Sequence, residues 1–324
     1  MEVFKKTKIY DFATYSSYGL IVSAILCIGA IALIVIKDFK LGIDFAGGSV
    51  VQIQYDTQPQ APLSEIREIL SQYEVFKGFQ VSEFGAPNEV LIKLPIVENP
   101  KTSTLQMVQE VLKPTGDFSI RRNDEIGAKV GDEFKRKGIL SLVLAFIAMM
   151  VYISFRYEWR FSLAGVMALI HDVILASAVV IIADIDFNLE VLAALLTLIG
   201  YSINDTIIIF DRIREQMLSK RINDMKYVIN EAVSRTLSRT LLTSLTVFFV
   251  VLTLYLFGGE IIKGFSLPML AGVIVGTYSS MFVAPRLALV FGFSLEEYYQ
   301  KEMKKLKKQE EKKRLRAMYE NGRV

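Results

Sequence analysis

The segment Gly200-Tyr201-Ser202-Ile203-Asn204-Asp205-Thr206, running on into Ile207-Ile208-Ile209-Phe210, sets an acid inside a stretch otherwise apolar enough to cross a membrane. An ionisable group at the centre of such a helix costs at least about 2.5–3.5 kcal/mol, so it is rare and by default lines a path for ions or protons. A second apolar stretch, beginning near Leu237, carries Arg239 among threonines at helical spacing. A carboxylate facing an arginine stays ionised, whereas one left alone in dry surroundings takes up a proton. Movement of one helix against the other would therefore load and unload a proton.

Residues three and four apart share a helix face, so Thr197, Tyr201, Asn204 and Asp205 form one polar stripe opposite Leu192, Leu195 and Ile199. Thr236, Arg239, Thr240 and Thr243 form a comparable stripe on the next helix. Run antiparallel, these helices place Asp205 about one to two turns from their shared charged end and Arg239 within about one turn, so the two can approach in depth. Arg239 has the alternative of snorkelling to the headgroups; the short side chain of Asp205 has none. A third stretch carries the only histidine, His171, beside Asp172, near mid-membrane. One reading of this pair is a proton relay, because imidazole titrates near neutral pH. The other is a hydrogen bond that holds helices together. The same two readings, proton path or helix packing, stand open for Tyr201 and Asn204.

Long elements must position these residues. Apolar residues make up 52% of the 324, and they gather in runs rather than periodic stripes. Six runs have the length of about 18–25 residues that crosses a hydrocarbon core of about 30 Å: Ser17–Ile36, Gly138–Phe155, Phe161–Ala183, Phe187–Phe210, Leu237–Phe257 and Phe265–Phe291. The class is a polytopic α-helical membrane protein with six transmembrane helices. Gly272-xxx-Gly276-xxx-Ser280 and Gly19-xxx-Ser23-xxx-Cys27 place small residues on one face, which suits close helix contact.

Positive charge orients the spans. Lys5, Lys6 and Lys8, then Arg156 and Arg160, then the cluster from Arg212 to Arg235, then the tail after Phe291 all fall on one side if every run spans. The expectation is that both termini are cytoplasmic. The first run lacks a small-residue cleavage site after it and reads as an anchor. Residues 1–36 then form the amino terminus and first helix, 37–137 an external, periplasmic domain, 138–291 helices two to six, and 292–324 a basic cytoplasmic tail. The stretch Glu296–Tyr319 alternates basic and acidic side chains on a plausible helix. It reads either as solvated or as touching anionic lipid. Asp211-Arg212-Ile213-Arg214-Glu215 reads as a solvated ion-pair cluster.

Within the external domain, Ser49–Tyr55 alternates after Gly47-Gly48 and reads as a strand. Leu63–Tyr73 has helical spacing, Phe79–Phe84 and Glu89–Pro95 read as strands around a turn, Ser103–Leu112 as helix and Asp117–Arg121 as a short last strand. That order is the α+β, split βαβ or ferredoxin-like pattern. A binding module is expected, with no cofactor.

Several classes are excluded. Net charge is only +3, which gives no field for nucleic acid, and the single Cys27 provides neither disulfide framework nor thiol cluster for a metal. A Walker-type phosphate loop, His-Glu-x-x-His, and the other intramembrane protease signatures are all missing, so neither nucleotide hydrolysis nor catalysis is expected.

Leu41-Gly42-Ile43-Asp44-Phe45-Ala46-Gly47-Gly48 follows the first run, and Ile126-Gly127-Ala128-Lys129-Val130-Gly131 precedes the second. Phe155-Arg156-Tyr157-Glu158-Trp159, Leu169-Ile170-His171-Asp172 and Gly200–Thr206 come next, then Phe210–Glu215, Ser238-Arg239-Thr240-Leu241-Leu242-Thr243-Ser244 and Tyr278-Ser279-Ser280-Met281-Phe282-Val283-Ala284-Pro285. In this order and spacing the chain closely resembles the SecF branch of the SecD/SecF family of bacterial protein-export subunits. The resemblance implies half of an RND-superfamily-like transporter in the inner membrane, completed by SecD with a second six-helix set. It implies use of the proton motive force to move preproteins emerging from the SecYEG channel, with YajC and YidC as further partners. It assigns the proton-linked roles to Asp205 and Arg239, in preference to Arg235. A small-solute efflux subunit of the same superfamily is the alternative; the single external loop of modest size favours export.

Overall fold

The computed structural model describes residues 8–96, 103–220, 224–292 and 295–320. Six of its helices are long and apolar enough to span a membrane, where only a helix or closed barrel satisfies every backbone group internally. They are α1 (Phe12–Lys37), α5 (Ala128–Arg156), α6 (Trp159–Ile182), α7 (Leu189–Lys220), α8 (Met225–Phe257) and α9 (Gly259–Phe282). The short α2 (Ile43–Ala46), α3 (Leu63–Ser71) and α4 (Thr104–Leu112) fall between α1 and α5. Helices α6, α7 and α9 form the buried centre, and α1, α5 and α8 flank it.

The helices outrun the apolar runs that locate them. Helix α7 continues ten residues past Phe210, and α8 begins twelve before Leu237. Hydropathy marks the hydrocarbon slab, whereas backbone hydrogen bonding continues into water for as long as good helix formers supply it. The last run does not form a single rod. It breaks at Val283, where Pro285 lies in the first turn of the new helix α10 (Ala284–Val290), and α11 (Leu295–Glu320) covers the expected tail helix.

Close approach at the centre rests on small residues. A Cβ on Gly272 of α9 would lie 2.5 Å from Leu198 Cδ1 of α7, and one on Gly276 would lie 3.1 Å from Ser202. In lipid, association depends on such contacts because there is no hydrophobic drive between helices.

Between α1 and α5 lies the α+β domain, with strands β1 (Gly48–Tyr55), β2 (Gln80–Phe84), β3 (Ala86–Leu94) and β4 (Phe118–Ile126). All pair antiparallel in the order β2-β3-β1-β4. The element order is the one the sequence pattern predicts. Strand β4 runs five residues past the expected Arg121, and β3 starts three before Glu89, because the turn between β2 and β3 is tight at Gly85. Val51, Ile53, Tyr55, Val90 and Ile92 point to one sheet face, where Ile66 and Leu70 of α3 and Val108 and Leu112 of α4 complete a core. Gly48, at φ 145°, enters β1 with a Cβ position only 2.3 Å from the Leu94 carbonyl oxygen, so no other residue fits there.

Candidate functional site

Asp205 lies fifteen residues before the end of α7, and Arg239 fourteen after the start of α8. At 1.5 Å per residue they sit about 21–23 Å from the facing ends Lys220 and Met225 of their helices, so their depths match. Their faces differ. Asp205 is 2% exposed in the helix interior, whereas Arg239 lies on the outer surface of α8. No ion pair within 4.0 Å joins them among the described residues; Arg239 is within Coulombic reach of the carboxyl but does not touch it. Arg235 pairs instead with the buried Glu231 at 2.7 Å.

Both predicted stripes are split by the packing. On α7, Thr197 and Asn204 face outward, Tyr201 is half-buried and Asp205 turns inward. On α8, Thr236 and Thr240 are buried while Arg239 is exposed. A polar stripe spans roughly a quarter of the helix circumference, and the boundary between inner and outer surface runs through it.

Asp205 instead faces hydroxyls. Ser244 of α8 donates to its Oδ2 over a long 3.4 Å, and Thr277 of α9 reaches the Ser244 oxygen at 2.7 Å. Thr277 also lies 2.7 Å from the Val273 carbonyl. A threonine has one hydroxyl hydrogen, so it donates to Ser244 or to Val273, not to both. Among the described residues the other carboxyl oxygen, Oδ1, has no hydrogen-bond partner within 3.5 Å, and neither do the buried hydroxyls of Thr240 and of Tyr201, which has Ser244 beside it. Sequence reasoning missed Ser244 and Thr277 as partners. Ser244 was visible one turn from Thr240, but Thr277 lies 72 residues after Asp205 in the chain, two helices on, and carries no local signal.

His171 and Asp172 form a second buried cluster. Asp172 is fully buried, accepts from Ser202 of α7 at 2.5 Å and Ser279 of α9 at 2.8 Å, and meets His171 Nδ1 at 2.8 Å. One carboxyl thereby links α6, α7 and α9. On the tail side, Asp211 pairs with Arg156 at 2.9 Å across α5 and α7.

Comparison with known proteins agrees with this architecture. The family model for the SecD/SecF protein-export membrane protein C-terminal region matches residues 107–294, and that for the SecD/SecF GG motif matches 32–59. A protein translocase subunit SecF of Helicobacter pylori is 60% identical over the full length of both chains. The chain belongs to the SecD/SecF family. Another member, SecF of Escherichia coli O157:H7, is 35% identical over 92% of this chain and 93% of its own. The crystal structure of SecDF from Thermus thermophilus, a translocon-associated membrane protein, superposes with a TM-score of 0.76 at 28% identity over 88% of this chain. A second SecDF structure, in a super-membrane-facing form, gives 0.66 at 27% over 93%. This chain spans 39% and 40% of the length of those SecDF chains.

Proposed function

We propose that this chain is a non-catalytic accessory subunit of the protein translocase, working in the inner membrane with a SecD partner, and that Asp205 exchanges the protons that drive it. The observation that carries the proton role is the setting of Asp205: a carboxyl 2% exposed in the centre of a spanning helix, half satisfied, with hydroxyls on one side only.

Two hydrogen-bond arrangements serve its two states. When Asp205 is ionised, Thr277 donates to Ser244 and Ser244 to the carboxylate. When it is protonated, the acid donates to Ser244, Ser244 to Thr277, and Thr277 to the Val273 carbonyl. Each arrangement uses the hydroxyl hydrogens of Ser244 and Thr277 once, so a proton can arrive or leave without stranding either donor. Only the ionised state is attracted to Arg239, so protonation relaxes the pull between α7 and α8.

Asn204 and Arg239 support the partner. They are exposed on the surface of the six-helix body, at a depth where lipid penalises polar groups, so a second set of helices would cover them. In this reading both termini are cytoplasmic and the α+β domain meets preprotein emerging from SecYEG on the far side. Asp172 serves packing by holding three helices together.

The test is Asp205→Asn in vesicles containing the assembled translocase and an imposed proton gradient. Gradient-dependent export of a preprotein is expected to be lost at normal subunit levels. Export that responds to the gradient as before would remove Asp205 from the coupling.

A further inference from the structure

The domain-side end of α7 is held by a segment far away in sequence. The Asp44 carboxylate accepts from the backbone N–H of Leu189, the first residue of α7, at 3.0 Å, while Asn188 caps Val191 at 3.0 Å. Free N–H groups at a helix start carry partial positive charge, and an acid there both bonds and neutralises it. The main chain adds a second tie. Gly42 N–H donates to the Phe187 carbonyl at 2.9 Å and Phe187 N–H to the Lys40 carbonyl at 2.7 Å, a short parallel bridge between the chain leaving α1 and the chain entering α7.

Apolar packing fixes the same segment from behind. A Cβ on Gly138 of α5 would sit 2.9 Å from Leu192 of α7 and 3.7 Å from the Phe45 ring, which is itself buried. The segment ends at Gly48, the first residue of the central strand β1. The root of the sheet and the start of the helix bearing Asp205 are therefore one clasped unit.

We infer that Asp44 is a positioning residue that couples the α+β domain to α7, so that displacement of Asp205's helix is passed to the sheet. This inference rests on the proton-driven export reading above. It gives the sequence from Leu41 to Gly48 a mechanical role: α2 acts as a wedge and Asp44 as its catch.

The experiment compares Asp44→Ala and Asp44→Asn in the assembled translocase, reading gradient-dependent export of a preprotein alongside Asp205 protonation by difference infrared spectroscopy. Asp44→Ala is expected to lower gradient-dependent export about tenfold, within the range of coupling between sites, while the Asp205 carboxyl signal persists. Asp44→Asn, which keeps an acceptor oxygen, is expected to rescue it. A disulfide between Gly42→Cys and Asn188→Cys, in a Cys27→Ser background, is expected to restore export to Asp44→Ala when oxidised and lose it when reduced; the two Cβ positions lie 3.0 Å apart, shorter than the usual disulfide spacing of about 3.5–4.5 Å, so the bridge closes after the two segments move slightly apart. Wild-type export in Asp44→Ala, an Asn variant as impaired as the Ala variant, or a locked protein no better than its reduced form would each overturn the inference. Loss of the Asp205 signal together with export would also overturn it, because the effect would then be on the proton site. Failure of the underlying reading appears separately, as unchanged gradient-dependent export in Asp205→Asn.

Discussion

Thr277 of α9 reaches Ser244 of α8 at 2.7 Å, and this contact ties the hydroxyl facing Asp205 to the helix at the centre of the bundle. Helix α9 is thereby joined to two buried acids: through Thr277 and Ser244 to Asp205, and through Ser279 directly to Asp172. In the proposed exchange, a change of protonation at Asp205 would reorder a chain that ends on the α9 backbone at Val273.

Removing the middle hydroxyl breaks that chain. Ser244→Ala leaves Asp205 without its donor and Thr277 with only the Val273 carbonyl. Gradient-dependent export is expected to fall about tenfold, a coupling loss of the usual size, while Ser244→Thr retains most of it. Vesicle export with and without an imposed gradient measures both. Equal export by the Ala variant would show that the hydroxyl chain plays no part.

The bundle centre predicts a stability coupling between Gly272 and Leu198. A methyl added at Gly272 meets Leu198 at 2.5–3.0 Å, and Leu198 is fully buried. Gly272→Ala is expected to cost about 1–3 kcal/mol by overpacking. Combining it with Leu198→Ala, which makes room, should recover part of that as a coupling of about 0.5–3 kcal/mol. Thermal unfolding of the four proteins in one detergent gives the cycle, and strict additivity would mean that the two residues do not meet.

Much of this architecture was legible because the hydrocarbon core imposes a length that the apolar runs reproduce, and because the α+β domain alternates with period two in β1 and with helical spacing in α3 and α4. The Gly272-xxx-Gly276 spacing likewise announced a close helix contact, and the structure supplies α7 as the partner. The side-chain pairing was less legible. Asp205 and Arg239 match in depth, as helix arithmetic requires, yet rotation about each helix axis decides which atoms meet. That rotation is set by α9, which lies beyond any local pattern. The same limit hid Asp44: nothing near Leu41–Gly48 states that its acid caps a helix 145 residues later.

Asp172 separates packing from proton transfer. Its two oxygens accept from Ser202, Ser279 and His171, so Asp172→Ala strands the Ser202 hydroxyl and the His171 ring nitrogen at about 1–3 kcal/mol each, while Ser279 keeps the Gly276 carbonyl at 3.2 Å. Asp172→Asn keeps one acceptor oxygen for Ser202 and Ser279, removes the charge, and turns an NH2 toward His171 Nδ1, which accepts in its other tautomer. The Ala variant is expected to unfold several degrees earlier in detergent, and the Asn variant to retain both stability and gradient-dependent export. Loss of export in a stable Asn variant would place Asp172 on the proton path instead.

The final prediction concerns Asp186, which anchors the open face of the sheet to the membrane body. It is 9% exposed and lies 3.5 Å from Lys93 of β3, 3.2 Å from Gln80 of β2 and 3.8 Å from Lys40. It precedes Phe187, whose backbone makes the bridge to Lys40 and Gly42. Asp186→Ala removes the acceptor shared by Lys93 and Gln80 and leaves Lys40 only the exposed Asp184 at 3.4 Å, so this junction should open locally while the sheet core, built on the opposite face, stays closed. Hydrogen exchange in the assembled complex is expected to rise at the Gly42 and Phe187 amides and to stay unchanged at Ile53 and Ile92. Equal acceleration at all four would mean that Asp186 supports the whole domain, and no change at Gly42 and Phe187 would mean that the backbone bridge holds without it.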